Sequence, residues 1–533
     1  MKLILLFASA LLLSAQVKPV KSTVCAECHP KIYQTFSETP MAASSGLSGT
    51  GSLQESFQKA SFLDKHSAFS YSVGRDASGY FFEFQKQHGS PSPTRRHLPF
   101  FVGSGAAARA FLIAVDGFLY ESPVTYYSRT GAWDLSPGYD RYQYPFLTRA
   151  IAPGCLACHS SGVQAIPGTQ NAYASPPFLE GGVSCERCHG SGESHVKSGG
   201  LHILNPVKLP PEQRDSICAQ CHLSGEVLVP RAGRENRPFV PGEKLSDSRI
   251  AFLRLSEKPG MRVVSHVENL SQSACKRASG DRLWCGTCHD PHSVPAPAAK
   301  AAWFRAKCLT CHQSKDCLGP AADRASNQDD CIACHMPRNP VSDAQHVVYT
   351  DHSIPRRPPA RQTIPAADAP LVPFGLKTAT ARDLGLAYAI VTVREQNPAY
   401  RERAFNLLKE AIDKNPEDPL TLSYLADLYK SRSNDNIAFQ LYERLMRVDP
   451  LESSAPVALG AYQMERGNDP EAIRLWTDAL RKSPALLLVR LNLAVVLLRT
   501  GQPAEARATL EKALEFNPNF QAARDLLAKI PPM

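Results

Sequence analysis

The sequence predicts a mainly α protein of two unlike halves: a loop-rich N-terminal half with a small β-containing insertion, then an α-solenoid. Three observations predict it. All 16 cysteines and all 16 histidines lie before residue 353, and fourteen of the cysteines recur in the pattern C-x-x-C-H. From about residue 376 the chain is rich in Leu and Ala and repeats with a period of 34 residues. Between the first and second motifs runs a stretch without cysteine in which aromatic and polar residues alternate. A length of 533 residues implies several domains, and 43% hydrophobic residues exclude global disorder. Sixteen cysteines are too few for a disulfide scaffold of this length. The net charge of +9 suits nucleic acid, a membrane surface or buried anionic cofactors, and composition alone does not choose among them.

At the N-terminus, Lys2 precedes an apolar run from Leu3 to Leu13 and then Ser14-Ala15-Gln16. A charged start, a short apolar core and small residues read as a secretory signal peptide over 1–15; the alternative is an uncleaved anchor. The run is too short to span a bilayer, and no later stretch is long and apolar enough to do so. Export places the protein in the periplasm or beyond it and argues against a nucleic-acid partner.

The region 16–353 carries seven motifs. They are Cys25-Ala-Glu-Cys28-His29, Cys155-Leu-Ala-Cys158-His159, Cys185-Glu-Arg-Cys188-His189 and Cys218-Ala-Gln-Cys221-His222, followed by Cys285-Gly-Thr-Cys288-His289, Cys308-Leu-Thr-Cys311-His312 and Cys331-Ile-Ala-Cys334-His335. This is the pattern of c-type haem attachment: two thiols add to the two vinyl groups, and the next histidine lies under the iron as proximal ligand. A C-x-x-C pair alone could be half a zinc site, a redox dithiol or a disulfide. Histidine after every one of the seven decides for covalent haem c, about seven in number, in a multihaem cytochrome c domain. Between motifs five and six, and again between six and seven, only 18 residues intervene. Segments so short cannot bury separate cores, so haem packs against haem.

Nine histidines lie outside the motifs, and six of them are candidate distal ligands: His66, His195, His266, His292, His346 and His352. His195 follows His189 by six residues and His292 follows His289 by three, too close for either pair to grip one iron from opposite faces. Each of the two should therefore reach a neighbouring haem. His88, His97 and His202 read as surface residues of polar loops. Six histidines for seven irons leave one short, and Met41, twelve residues after His29, is the further candidate. A thioether ligand raises the potential relative to bis-histidine. Without it, one iron would be five-coordinate and open to substrate. Cys275 and Cys317 fall outside the motifs, and a disulfide, free thiols or an axial thiolate are open for them.

The insertion, 46–150, should hold two hairpins. Phe69–Val73 and Tyr80–Phe84 alternate in polarity, and Ala110–Val115 and Phe118–Tyr127 flank Asp116-Gly117, a strong turn signal. Residues 354–375 are proline-rich and read as an extended linker or surface strap. Beyond it, Pro416, Pro450, Pro484 and Pro518 recur every 34 residues, as do Ala404, Ala438, Ala472 and Ala506. Small residues allow close helix crossings and proline ends the second helix of each unit. Over 376–533 the chain resembles the tetratricopeptide repeat family in four units, with a longer first helix in the first unit and a capping helix over 519–530.

The phrases CAECHPKIYQTF, CERCHGSGESHV, CAQCHLSG, LWCGTCHDPH and CIACHMPRNP…TDHSIPR carry a second resemblance. The region 25–355 is similar to exported multihaem cytochromes with doubled C-x-x-C-H motifs, relatives of the nitrifiers' tetrahaem electron-transfer cytochrome. The resemblance implies haems stacked in parallel and perpendicular pairs, with His195, His266, His292 and His352 as distal ligands, and adds weight to His66 and His346. Two positions depart from it: Met41, and Ala107 within Gly103–Leu112, stand where histidine is expected. The function expected is electron transfer, with a redox protein partner docked through the haem domain and the repeats. The alternatives are a multihaem reductase of a small nitrogen or sulfur oxyanion, and a scaffold with structural haems. No C-x-x-C-K variant is present, which counts against one class of nitrite reductase.

Overall fold

The computed structural model describes residues 19–51, 53–87, 93–142, 144, 147–235, 237–255, 261–357 and 366–531. The expected signal peptide, His88 and the middle of the proline-rich stretch lie outside them. Helix, at 44%, outweighs strand, at 18%.

The insertion is more extensive than the two hairpins expected from its sequence. It holds nine strands: β1 (Ser45–Leu47), β2 (Ser61–Asp64), β3 (Phe69–Asp76), β4 (Gly79–Lys86), β5 (Thr94–His97), β6 (Phe100–Val102), β7 (Ala108–Val115), β8 (Phe118–Tyr127) and β9 (Ala132–Leu135). They form two antiparallel sheets, ordered β2-β3-β4-β5 and β1-β6-β7-β8-β9. The two long hairpins are those the alternation marks, and Asp116 and Gly117 both take positive φ, as a type I′ turn requires. Five of the other strands have only three or four residues, too few for a period of two to show. The sheets share one aromatic core: Phe69, Tyr71, Phe82 and Phe84 from one, Phe101, Phe111, Ile113, Val124 and Trp133 from the other. Inside it, Arg109 Nη1 donates to Glu55 Oε1 at 2.7 Å with both side chains fully buried, and Tyr80 Oη donates to Glu55 Oε2 at 3.0 Å.

After the second motif, β10 (Ser160–Ala165) and β11 (Tyr173–Gly181) form a hairpin laid against β1. Gly182, at the end of this hairpin, has φ +76°, and a Cβ there would sit 1.8 Å from the carbonyl oxygen of Ala42. Only glycine allows that approach. Further on, β12 (Val227–Pro230) and β13 (Arg249–Arg254) pair; β14 (Arg338–Pro340) and β15 (Val348–Thr350) form a small hairpin. The end of the proline-rich stretch is not a surface strap. Its residues Leu371–Pro373 form β16, which pairs with β13, and Leu371 is buried.

Between residues 274 and 343 no side chain is buried. Motifs five to seven therefore sit on a stretch of chain without a protein core of its own.

The C-terminal part is a stack of antiparallel helix pairs: α1 (Ala381–Glu395) with α2 (Pro398–Lys414), α3 (Pro419–Lys430) with α4 (Asp435–Val448), α5 (Ser454–Glu465) with α6 (Asp469–Lys482), and α7 (Leu487–Arg499) with α8 (Pro503–Phe516), closed by α9 (Gln521–Leu527). Proline is favoured in the first turn of a helix because its missing donor has no partner there anyway, and it opens α2, α3 and α8. Thr380, Asn397 and Asp418 cap α1, α2 and α3 with side-chain acceptors. Ala404, Ala438, Ala472 and Ala506 are all buried at the helix crossings. At Gly460 a Cβ would meet Trp476 Nε1 at 2.4 Å. The first helix pair shares its core with the β12-β13-β16 sheet: Val229, Phe252 and Leu371 pack with Leu386, Tyr388 and Tyr400.

Candidate metal centres

Each motif sits in a helix or at its end, from four residues at motif three to twelve (Pro211–His222) at motif four, and the reason is local. In motifs one, three, five and six the histidine N–H donates to the carbonyl of the first cysteine, at 2.9, 3.0, 2.9 and 3.0 Å. That i to i+4 bond brings two thiols at i and i+3 and the imidazole at i+4 onto neighbouring positions of one helical turn. The second motif is tighter: His159 N–H reaches Leu156 at the end of the helix Pro153–Ala157.

Tertiary folding brings motif histidines to histidines from other segments. The rings of His29 and His195 lie 6.3 Å apart and nearly parallel, at 11°. His189 and His292 lie 6.0 Å apart at 17°, and His289 and His352 6.3 Å apart at 29°. Two imidazoles gripping one metal from opposite faces, each nitrogen about 2 Å from it, would have ring centres roughly 6 Å apart. His266 lies 5.1 Å from His222 and 4.8 Å from His352, edge-on to both. These three histidines, with His289, make one cluster of four from four segments of the chain.

Ring orientation is fixed from behind. His189 Nδ1 lies 2.9 Å from the Leu204 carbonyl, His195 Nδ1 3.0 Å from Leu201, His352 Nδ1 2.9 Å from Thr350 and His335 Nδ1 3.1 Å from Pro355. A carbonyl only accepts, so Nδ1 carries the proton and Nε2 keeps its lone pair for a metal. Partial desolvation, followed by neighbouring imidazoles, pushes His266 down to about 3 and His289 down to about 4. Partial desolvation likewise holds His159, His222, His292 and His352 below the usual range. All are neutral near pH 7, the form that binds metal.

The thiols report which motifs adjoin. Cys25 is pushed up to about 12 by burial and by Cys185 beside it. Cys158 exchanges a hydrogen bond with Cys221, Cys218 with Cys285, and Cys308 with Cys331. Motifs one and three, two and four, four and five, and six and seven are therefore neighbours. Cys275 is half-buried and interacts with Cys288 and Cys308, whereas Cys317 is exposed and interacts with Arg324. Both are free thiols, so the disulfide considered for them is not formed; they face different surroundings.

The other candidates are placed differently. His346, at φ +60°, directs Nε2 to Asp134 Oδ2 at 2.8 Å, and its ring lies 5.0 Å from that of Tyr127. His66 sits in the exposed β2–β3 turn, where its N–H donates to Asp64. Met41 lies in the turn before β1; Ser44 Oγ bonds both the Met41 and the His159 carbonyls, at 2.7 and 2.9 Å. Among the described residues, no well-formed hydrogen bond reaches the enclosed Nδ1 atoms of His159 and His266. His312 is exposed. The sequence reading missed Asp134 and the carbonyl acceptors of Leu201, Leu204, Thr350 and Pro355; backbone acceptors leave no mark in side-chain identity.

The donor set fits covalent haem c. Thiol pairs and neutral imidazoles stand together, the paired rings have the separation a shared iron demands, and a long coreless segment carries three of the motifs. Sequence comparisons point the same way. Residues 142–190 match the family "Cytochrome c554 and c-prime", 277–317 the doubled CXXCH motif, and 463–530 the tetratricopeptide repeat. These matches support a multihaem cytochrome fused to tetratricopeptide repeats. It is similar to the multiheme cytochrome MtrA of Shewanella baltica (strain OS185), with 26% identity over 153 residues, 26% of this chain and 46% of that protein. It thus spans about half the length of this curated relative. Among solved structures, MamA aligns at 18% identity over 26% of this chain and 80% of its own, with a TM-score of 0.24. A chain of the APC/C hetero-tetramer Cut9–Hcn1 aligns at 20% identity over 28% of this chain and 30% of its own, with a TM-score of 0.25. Among the described residues no helix is long and apolar enough to cross a membrane.

Proposed function

We propose that the chain is an exported electron-transfer protein that holds seven haem c groups through its fourteen motif cysteines, with the motif histidines as proximal ligands. The observation that carries this reading is the set of three imidazole pairs at 6.0–6.3 Å. His195 serves the iron of His29, His292 that of His189, and His352 that of His289; His266, edge-on to His222 at 5.1 Å, is the candidate for that of His222. Met41 is the candidate for His159, whose backbone is tied to its own through Ser44. His346 commits Nε2 to Asp134, and we assign no iron to it or to His66.

Bound haem supplies iron that takes up and gives back one electron. The protein's part is to hold His189, His195, His335 and His352 by Nδ1–carbonyl bonds, keep His159, His222, His266, His289, His292 and His352 neutral by desolvation, and set the motifs side by side. Interlocked ligand pairs support this reading: His195 follows motif three yet faces motif one, and His292 follows motif five yet faces motif three, so neighbouring haems are cross-linked through the chain. The tetratricopeptide repeats offer a surface for a redox protein partner.

An intact mass equal to the mature chain plus seven haems, together with low-spin ferric EPR signals from the irons assigned two ligands, is the expected result. Fewer than seven haems overturns the count. Consumption of nitrite or another small oxyanion by the reduced protein replaces the carrier by the reductase of a small oxyanion.

A further inference from the structure

The repeats are expected to help dock a redox protein partner. The contacts of their last two units point elsewhere. We infer that the C-terminal edge of the solenoid is a docking surface for the chain's own β unit, which it holds in place as a resident partner.

The contacts lie along the turns that join one helix pair to the next. Phe516, the last residue of α8, is 1% exposed and belongs to the aromatic core of the β sheets, and Ala485 and Leu487 pack on the same core. Lys512 forms an ion pair with Asp116, in the β7–β8 turn. Arg96 of β5 donates to the carbonyl of Glu515. Arg490 is held below its usual range by burial and interacts with Tyr120 of β8. One turn earlier, Gln170 N–H donates to the Lys482 carbonyl at 3.1 Å and Ser483 Oγ donates to Gln170 Oε1 at 2.8 Å. One turn earlier again, Leu451 lies 3.4 Å from the position of a Cβ on Gly168. Three successive turns thus rest on the β unit and the β10–β11 loop.

The other end of the solenoid is anchored independently. Buried Arg382 binds Asp418 at 2.7 Å, Glu235 at 2.7 Å and the Pro230 carbonyl at 2.8 Å, and Arg231 pairs with Asp383 at 2.8 Å. The repeats therefore bridge the β12-β13-β16 sheet and the β unit. The β unit in turn grips residues 344–347, next to His352, through Tyr127 and the Asp134–His346 pair. This bracing goes beyond electron transfer and survives or fails separately from the haem count. It leaves an external partner only the faces of the solenoid away from these turns.

The test uses the full haem-loaded chain and hydrogen exchange. Phe516→Ala removes the shared core residue, and exchange in β4, β7 and β8 is expected to speed up roughly a hundredfold. Exchange in α1–α3 and the number of haems should not change. Should Phe516→Ala fail to fold, the milder pair Lys512→Glu and Asp116→Lys decides. Each alone should loosen the β7–β8 turn and α8 together, and the two combined should restore both. Unchanged exchange in the β strands with Phe516→Ala, or failure of the double exchange to restore protection, overturns the inference.

Discussion

At the scale of single residues, chemistry here depends on imidazoles held neutral and aimed. A carbonyl behind Nδ1 defines which nitrogen faces a metal, and desolvation holds His352 below the usual range. His195→Ala should leave haem attachment intact and convert one low-spin iron to high-spin; EPR on the ferric protein checks this, and an unchanged spectrum removes His195 from the ligand set. Not every buried charge belongs to the cofactor. Glu55 and Arg109 pair inside the β core, and Glu55→Ala leaves a buried guanidinium alone. We expect a loss of about 3–5 kcal/mol in the β unit, measured by hydrogen exchange in β4 and β7. The motif histidines proposed as proximal ligands could be read directly from the sequence because covalent attachment requires residues adjacent in the chain. Distal partners could not, because any histidine brought across the fold will serve.

At the scale of elements, repetition was legible and brevity was not. Four alanines and four prolines at one spacing mark the helix pairs, since every unit meets the same packing constraint. Gly460 shows how tight that constraint is: Gly460→Leu should destabilise α5 and α6 by roughly 1–3 kcal/mol through collision with Trp476, seen as a lower midpoint of helix loss on heating. The two long hairpins show their alternation, while strands of three or four residues carry too little pattern to be recognised. β16 escaped for another reason. A proline-rich composition describes the whole stretch, yet Leu371–Pro373 needs only a partner strand to become a sheet edge.

At the scale of the whole molecule, the charge and the core divide by half. Residues 376–533 hold 21 basic and 20 acidic side chains, so +8 of the +9 lies in the haem half. The seven haems proposed would bring about two propionates each, roughly −14, partly offset by about +1 on each ferric core. The basic excess thus answers the cofactor's own anions. The core is divided as unequally. With no buried side chain from 274 to 343, this segment depends on its cofactors for order. Chain made without haem attachment should be cut rapidly by protease within 274–343 while 381–527 resists; equal resistance in both would contradict that dependence. The sequence by itself determined the haem motifs, the repeat period and the halves, because each follows from residues near one another in the chain. Only the tertiary structure decided which histidine faces which, that the β unit has two sheets, and that the solenoid leans on it at one end. These are contacts between segments tens to hundreds of residues apart, and side-chain identity at either end does not name its partner.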